Sequence, residues 1–187
     1  MLKIKKTDNP IAIRSQRLIC ESFLKIMYQK PYEKITITEV CKDAKLVRET
    51  FYRNFSSKEA VIKQIIDSKY EELNELNKYN DKYHDIQEIS LNYFTYWKEQ
   101  KDFLNLLIDN HLFSIMLNKT IELIYLKIDK NIGEDETEIT KKYIASIYSG
   151  AIDNLLFSWV KNDFKGTPME MTRILKYYSN LIKKSNN

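Results

Sequence analysis

The chain is 187 residues long, with 30 Lys+Arg against 26 Asp+Glu and a formal net charge of +4. Three Gly and three Pro are too few for an all-β fold that turns every ten residues or so. No apolar run approaches the roughly 18 residues needed to span a bilayer.

In chain order, Lys3, Lys5 and Lys6 form a short basic arm suited to a sequence-blind contact with a phosphate backbone. The opening MLKIKKTDNP is too polar for a signal-peptide core, so the expectation is a cytoplasmic protein. Asn9 and Pro10 read as N-cap and first residue of helix 1, which runs to about Gln29. Leu18, Ile19, Phe23, Ile26 and Met27 recur along it at helical spacing, and Pro31 ends it. Thr36 and Glu39 form a capping box at the start of helix 2, about Ile37–Ala44. A break at Lys45-Leu46-Val47 leads into helix 3, about Arg48–Phe55. Ser56 and Glu59 read as a second box that opens helix 4 near Ser57. Helix 4 carries Val61, Ile62, Ile65, Ile66, Tyr70 and Leu73, and polar Asn77–Asp85 reads as a loop.

Helices 2 and 3 have the shape of a helix-turn-helix, whose second helix lies in the major groove of duplex DNA. The charge agrees. Residues 1–58 hold 13 Lys+Arg against 6 Asp+Glu, a net of +7, and the remainder nets −3. A basic end on a slightly acidic body is the footprint of a protein that docks one end on phosphate. The expected contacts are Arg48, Thr50, Tyr52 and Arg53 on helix 3, with Thr36, Thr38 and Lys45 nearby. Arg48 and Arg53 suit guanine edges or phosphate, and Phe51 should point back into the core.

Past residue 84 no nucleic-acid signature and no repeat is visible. Helix 5 spans about Ile86–Glu99, helix 6 about Asp102–Asn110, and helix 7 about Leu112–Lys130, followed by acidic Glu134–Glu136. Helix 8 (about Thr137–Asn162) is the longest. Thr167, Pro168 and Glu170 give helix 9 (about Pro168–Lys183) its cap, first residue and third residue. The expectation is therefore an all-α fold of about nine helices, with a helix-turn-helix domain over 1–60 and a helical effector and dimerisation domain over 61–187. Helices 8 and 9 carry apolar faces wider than one core stripe requires. That width predicts a two-fold homodimer through Ile144, Tyr148, Ile152, Leu155, Trp159, Ile174, Tyr178 and Leu181. A small-molecule effector is expected among Tyr93, Trp97, Phe103, His111, Phe113, Met116 and Asn154. No phosphate-cradling Gly loop, metal-ligand spacing or nucleophile–base pair is visible, so no enzyme, cofactor or metal is expected. Cys20 and Cys41 fit a reducing compartment as small buried side chains, with a redox pair as the alternative.

From Arg17 to Ile62 the chain resembles the DNA-binding domain of the TetR family of bacterial transcription regulators. The likeness rests on Leu18-Ile19, Tyr32-x-x-Ile35-Thr36-Ile37 and Thr50-Phe51-Tyr52-x-x-Phe55-x-x-Lys58-Glu59. It departs at Lys45, where the family usually has Gly, and at Val47, where a small hydroxyl residue is common. The resemblance implies phosphate contacts from Tyr52 and from Lys58. It also implies a dimeric repressor on a palindromic operator, released when an effector tilts helix 4. A co-regulator acting through protein–protein contacts, with weak or no operator binding, is the alternative that the two departures keep open. The stretch from Ser149-Gly150-Ala151 to Trp159, with Gly166-x-Pro168-Met169-Glu170-Met171, resembles a TetR branch of low-GC Gram-positive bacteria that includes regulators of dihydroxyacetone metabolism.

Overall fold

The computed structural model of the chain describes residues 9–78, 86–131 and 137–184. Among them are nine α-helices and one short 3₁₀ turn, and no strand. The helices are α1 (Pro10–Met27), α2 (Ile37–Ala44), α3 (Arg48–Asn54), α4 (Lys58–Lys78), α5 (Ile86–Glu99), α6 (Lys101–Asp109), α7 (Phe113–Asn131), α8 (Glu138–Lys161) and α9 (Pro168–Lys184). The turn, Tyr32–Lys34, precedes α2. The all-α expectation is met. The basic arm, most of the Asn77–Asp85 stretch with His84, and the acidic Glu134–Glu136 stretch lie outside the described residues.

Local chemistry sets most of the helix ends. Asn9 Oδ1 accepts the Ile11 N–H at 3.0 Å, and Pro10 takes the first position, where no N–H is needed. Thr36 and Glu39 close both halves of their capping box: Glu39 N donates to Thr36 Oγ1 at 3.3 Å, and Thr36 N donates to Glu39 Oε2 at 2.9 Å. Thr167 and Glu170 repeat the arrangement at α9. One cap differs from its expected place. Ser57, not Ser56, starts α4, its Oγ accepting the Ala60 N–H at 3.2 Å.

The chain divides into two units. The first reaches Glu75 and takes in Leu106–Leu112; the second comprises Leu76–Asn105 and the residues from Phe113 onward. The first thus extends along α4 past residue 60. Ile19, Phe23, Met27, Val40, Phe51, Val61, Ile62, Ile65 and Ile66 form its core, each 3% exposed or less. Leu18 is only half-buried, whereas Ser15, Gln16 and Ser22 turn inward on α1. Tyr32 N donates to Asn110 Oδ1 at 2.6 Å, tying the 3₁₀ turn to the residue that follows α6.

In the second unit an aromatic cluster joins α5 to the end of α8. Phe94 meets Trp159 edge-on at 6.0 Å, and Trp159 meets Phe164 at 5.1 Å. Trp159 Nε1 donates to Lys165 O at 2.8 Å, so its one polar atom is satisfied inside the protomer. The turn after α8 carries three left-handed residues, Asp163, Phe164 and Gly166.

α8 is oriented against simple hydrophobic expectation. Ala145, Ser149, Asp153 and Leu156 are buried to 1% exposure or less, while Ile139, Tyr143, Ile147 and Tyr148 are 54% exposed or more. The helix buries a small and polar stripe and leaves large apolar side chains outside. The inner face therefore has polar chemistry to satisfy.

Candidate nucleic-acid interface and regulatory core

α2 is braced on α1 and on the segment that follows it by two ion pairs. Lys25 Nζ lies 2.5 Å from Asp43 Oδ1, and Lys30 Nζ lies 2.5 Å from Glu39 Oε1. The Lys30 and Thr36 bonds hold the Glu39 carboxyl down to about 2. α2 then ends in a full Schellman turn. Lys45 sits at φ 56° and ψ 41°, its N–H donating to Lys42 O at 3.2 Å, while Leu46 N donates to Cys41 O at 2.9 Å. Lys45 therefore occupies a left-handed position that glycine takes without strain.

Val47 is the N-cap of α3 and offers it no side-chain bond; it is 63% exposed. α3 is attached through one buried side chain, Phe51. Arg48, Glu49, Tyr52 and Arg53 are exposed, and Thr50 is half-buried. The Arg48 guanidinium donates to the Tyr52 hydroxyl at 3.3 Å and stands 5.9 Å from the ring centroid. These two side chains, one turn apart, form a single exposed unit with a cation and a hydroxyl. Thr38 and Lys45 are exposed nearby, and the Thr36 hydroxyl donates to Glu39 Oε2 at 2.7 Å.

Lys58 is engaged within the protein. Its ammonium donates to three carbonyls, Tyr32 O at 3.0 Å, Glu33 O at 3.3 Å and Ile35 O at 2.9 Å, and lies 4.6 Å from the Tyr32 ring centroid. An ammonium has three donors. All three are used within the protein, where Lys58 closes the turn before α2. Sequence spacing gives no sign of this, because the carbonyls lie 23 to 26 positions away.

A family model described as "Bacterial regulatory proteins, tetR family" matches residues 21–65, and one described as "Transcriptional regulator C-terminal region" matches residues 84–181. The chain belongs to the TetR family. The Lactococcus lactis protein named HTH-type dhaKLM operon transcriptional activator DhaS is 25% identical over 146 residues, which cover 75% of this chain and 76% of that one. A putative transcriptional regulator from Pseudomonas aeruginosa PAO1 shares the fold with a TM-score of 0.53 at 10% identity, covering 90% of each chain. The fatty acid degradation regulator FadR from Bacillus halodurans matches with a TM-score of 0.53 at 15% identity, over 91% of this chain and 94% of that one. TetR membership makes the protein a transcriptional regulator with a helix-turn-helix.

In the second unit, Tyr93, Trp97, Phe103 and Met116 are buried, and Phe113 is half-buried. Asn154 faces solvent; the inward place on that turn of α8 belongs to Asp153, 1% exposed, which sequence reasoning did not single out. His111 belongs to the first unit. It is exposed at φ 58°, closing α6 in a Schellman turn with Leu112 N donating to Leu107 O at 2.7 Å. Asp153 Oδ1 accepts the Tyr93 hydroxyl at 2.5 Å. Burial pushes its carboxyl up to about 7, against the opposing hydroxyl bonds of Tyr93 and Thr120.

Among the residues expected at a dimer face, Tyr148, Ile174 and Tyr178 are exposed and Ile144, Ile152 and Leu155 are half-buried. Trp159, 3% exposed, packs within its own protomer instead. The Leu181 side chain lies outside the described residues. Both cysteines are buried, and burial raises both thiols, Cys20 to about 12. A thiol held in that state is a poor nucleophile, which speaks for the packing role of both residues. Among the described residues no helix is long and apolar enough to cross a membrane.

Proposed function

We propose that this TetR regulator binds a palindromic DNA operator as a homodimer, acts there as a repressor, and is released by a small-molecule effector held in the second unit. The observation that carries the proposal is the exposure of α3. One side chain anchors it, and Arg48, Tyr52 and Arg53 project from the surface. One such short helix makes too few base contacts for tight binding; two copies about 34–36 Å apart meet successive major grooves. Arg48 and Arg53 are assigned to guanine edges or phosphate, and Thr38, Lys45, Thr50 and Tyr52 to flanking contacts. Thr36 remains in the set, although its hydroxyl also serves the α2 cap.

The dimer assignment rests on the outer face of α8 and on α9. Ile139, Tyr143, Ile147 and Tyr148 are exposed on α8, and Met169, Ile174, Tyr177 and Tyr178 are exposed on α9. A methyl group added to Gly150 would meet nothing within 4 Å. An apolar face of this size is unusual on a monomer. A partner helix could approach closely at the glycine.

Selection of duplexes from a random DNA pool tests the reading. Enriched sites should be two-fold symmetric, and log affinity should fall with log salt at about −0.9 per phosphate neutralised. Arg48→Ala should weaken binding at least tenfold with an unchanged unfolding midpoint, and Ile147→Glu should give monomers that bind poorly. Enrichment of no duplex, or of sites without symmetry, would refute the proposal. The relative's name, a transcriptional activator, favours a second reading of the sign. A promoter–reporter fusion separates the two, since deleting a repressor raises expression and deleting an activator lowers it.

A further inference from the structure

The inner face of α8 is polar where a core helix is ordinarily apolar, and its most demanding member is Asp153. We propose that the second unit recognises a small organic ammonium ion, with Asp153 Oδ2 as the anionic acceptor and the ring of Tyr93 as part of the wall. This rests on the reading of that unit as the effector-binding one.

The geometry singles out one atom. Asp153 is 1% exposed, and Oδ1 already accepts the Tyr93 hydroxyl at 2.5 Å. Oδ2 is buried and accepts no hydrogen bond from any described residue. A buried carboxylate oxygen left in this way costs free energy that a folded protein ordinarily avoids. The two side chains that act on the carboxyl among the described residues, the Tyr93 and Thr120 hydroxyls, are both neutral. Burial keeps this carboxyl protonated up to about 7, and its ionised form lacks the compensating positive charge that a cation donating to Oδ2 would supply.

The surroundings choose among donors. A neutral hydroxyl satisfies one lone pair and leaves the charge uncompensated. An ammonium group satisfies both. Tyr93 meets Phe94 at 5.4 Å and Trp97 at 6.2 Å, both edge-on. A carboxylate beside packed aromatic rings is a favourable setting for an alkyl- or arylammonium ion, whose cation is attracted to ring faces while its carbon body is buried. Ser149, buried one turn before Asp153 on α8, offers a hydroxyl rather than a bulky side chain on the same stripe.

The test uses the full chain without DNA. Benzylammonium and butylammonium chlorides are titrated by calorimetry and thermal shift against benzyl alcohol and butanol at matched ionic strength. The ammonium probes should bind and raise the unfolding temperature, and the alcohols should not. Asp153→Asn keeps the shape and an acceptor for Tyr93 and removes the charge; it should weaken ammonium binding about tenfold or more. Tyr93→Phe removes the competing donor from the carboxylate and should bind the ammonium probes as tightly as the native chain or more so. That second variant keeps the test decisive should the Asn variant fail to fold. No shift with either ammonium, an equal shift with the alcohols, unimpaired binding by a folded Asn variant, or weaker binding by Tyr93→Phe would overturn the inference. A chain that binds DNA through Arg48 but ignores both ammonium probes loses this inference alone. One that binds the probes and enriches no duplex loses the operator-binding proposal alone.

Discussion

Asp153 should make this protein less stable as pH rises through neutrality, opposite to the usual behaviour of a surface carboxylate. Its folded carboxyl holds its proton up to about 7, against an ordinary value of 3.8. Between those limits the folded chain keeps a proton that the unfolded chain has lost, so stability falls with rising pH and levels off above about 7. Three pH units at 1.36 kcal/mol each give roughly 4 kcal/mol for the whole window, and about 2 kcal/mol between pH 5.5 and 7. With a urea dependence of about 2 kcal/mol/M, that is a midpoint shift of roughly 1 M. Glu39 and Glu170 are shifted downward by their capping bonds and act in the opposite sense below pH 5, outside this range. Urea unfolding followed by circular dichroism from pH 5.5 to 8.5, at fixed chain concentration because a dimer's stability depends on it, reads the effect. The native midpoint should fall from pH 5.5 to about 7 and then level off. That of Asp153→Asn should stay flat and lie above the native one at pH 8.5. A flat native profile, or an Asn variant with the native slope, would show that the Asp153 carboxyl ionises normally and that its burial carries no such penalty.

Two further substitutions separate fold from contact. Lys45→Gly removes the side chain that strains the left-handed turn and should raise stability by about 1 kcal/mol, a few degrees in melting temperature. The same variant should lower the salt slope of operator binding by about 0.9 if Lys45 meets a phosphate; an unchanged slope removes it from the contact set. Lys58→Met deletes an ammonium that closes on three carbonyls and should cost about 2 kcal/mol of stability. Its salt slope should match the native one, and a slope reduced by one phosphate would show that Lys58 leaves the carbonyls when DNA arrives.

The legible parts of this sequence are the ones that neighbouring residues settle among themselves. Asn9–Pro10, Thr36–Glu39 and Thr167–Glu170 fix helix starts through bonds spanning at most three positions. Such bonds form in much the same way whatever the rest of the chain does. The helix-turn-helix, its exposed Arg48 and Tyr52, and the buried Phe51 follow from short spacing of the same kind. The position of Lys58 does not, because its acceptors belong to a turn more than twenty residues upstream that only packing brings near. Nor does the orientation of α8. Apolar residues surround that helix, so periodicity left both faces open, and the choice was made by what α5 and α7 present to it. Tyr93, 60 positions from Asp153, turns a polar residue into a buried partner. Trp159 is drawn into its own protomer by Phe94, Phe164 and the Lys165 carbonyl. The sequence by itself determined where helices begin and which short one stands exposed. The tertiary structure alone decided which side of the longest helix became interior, because that depends on the summed packing of distant segments.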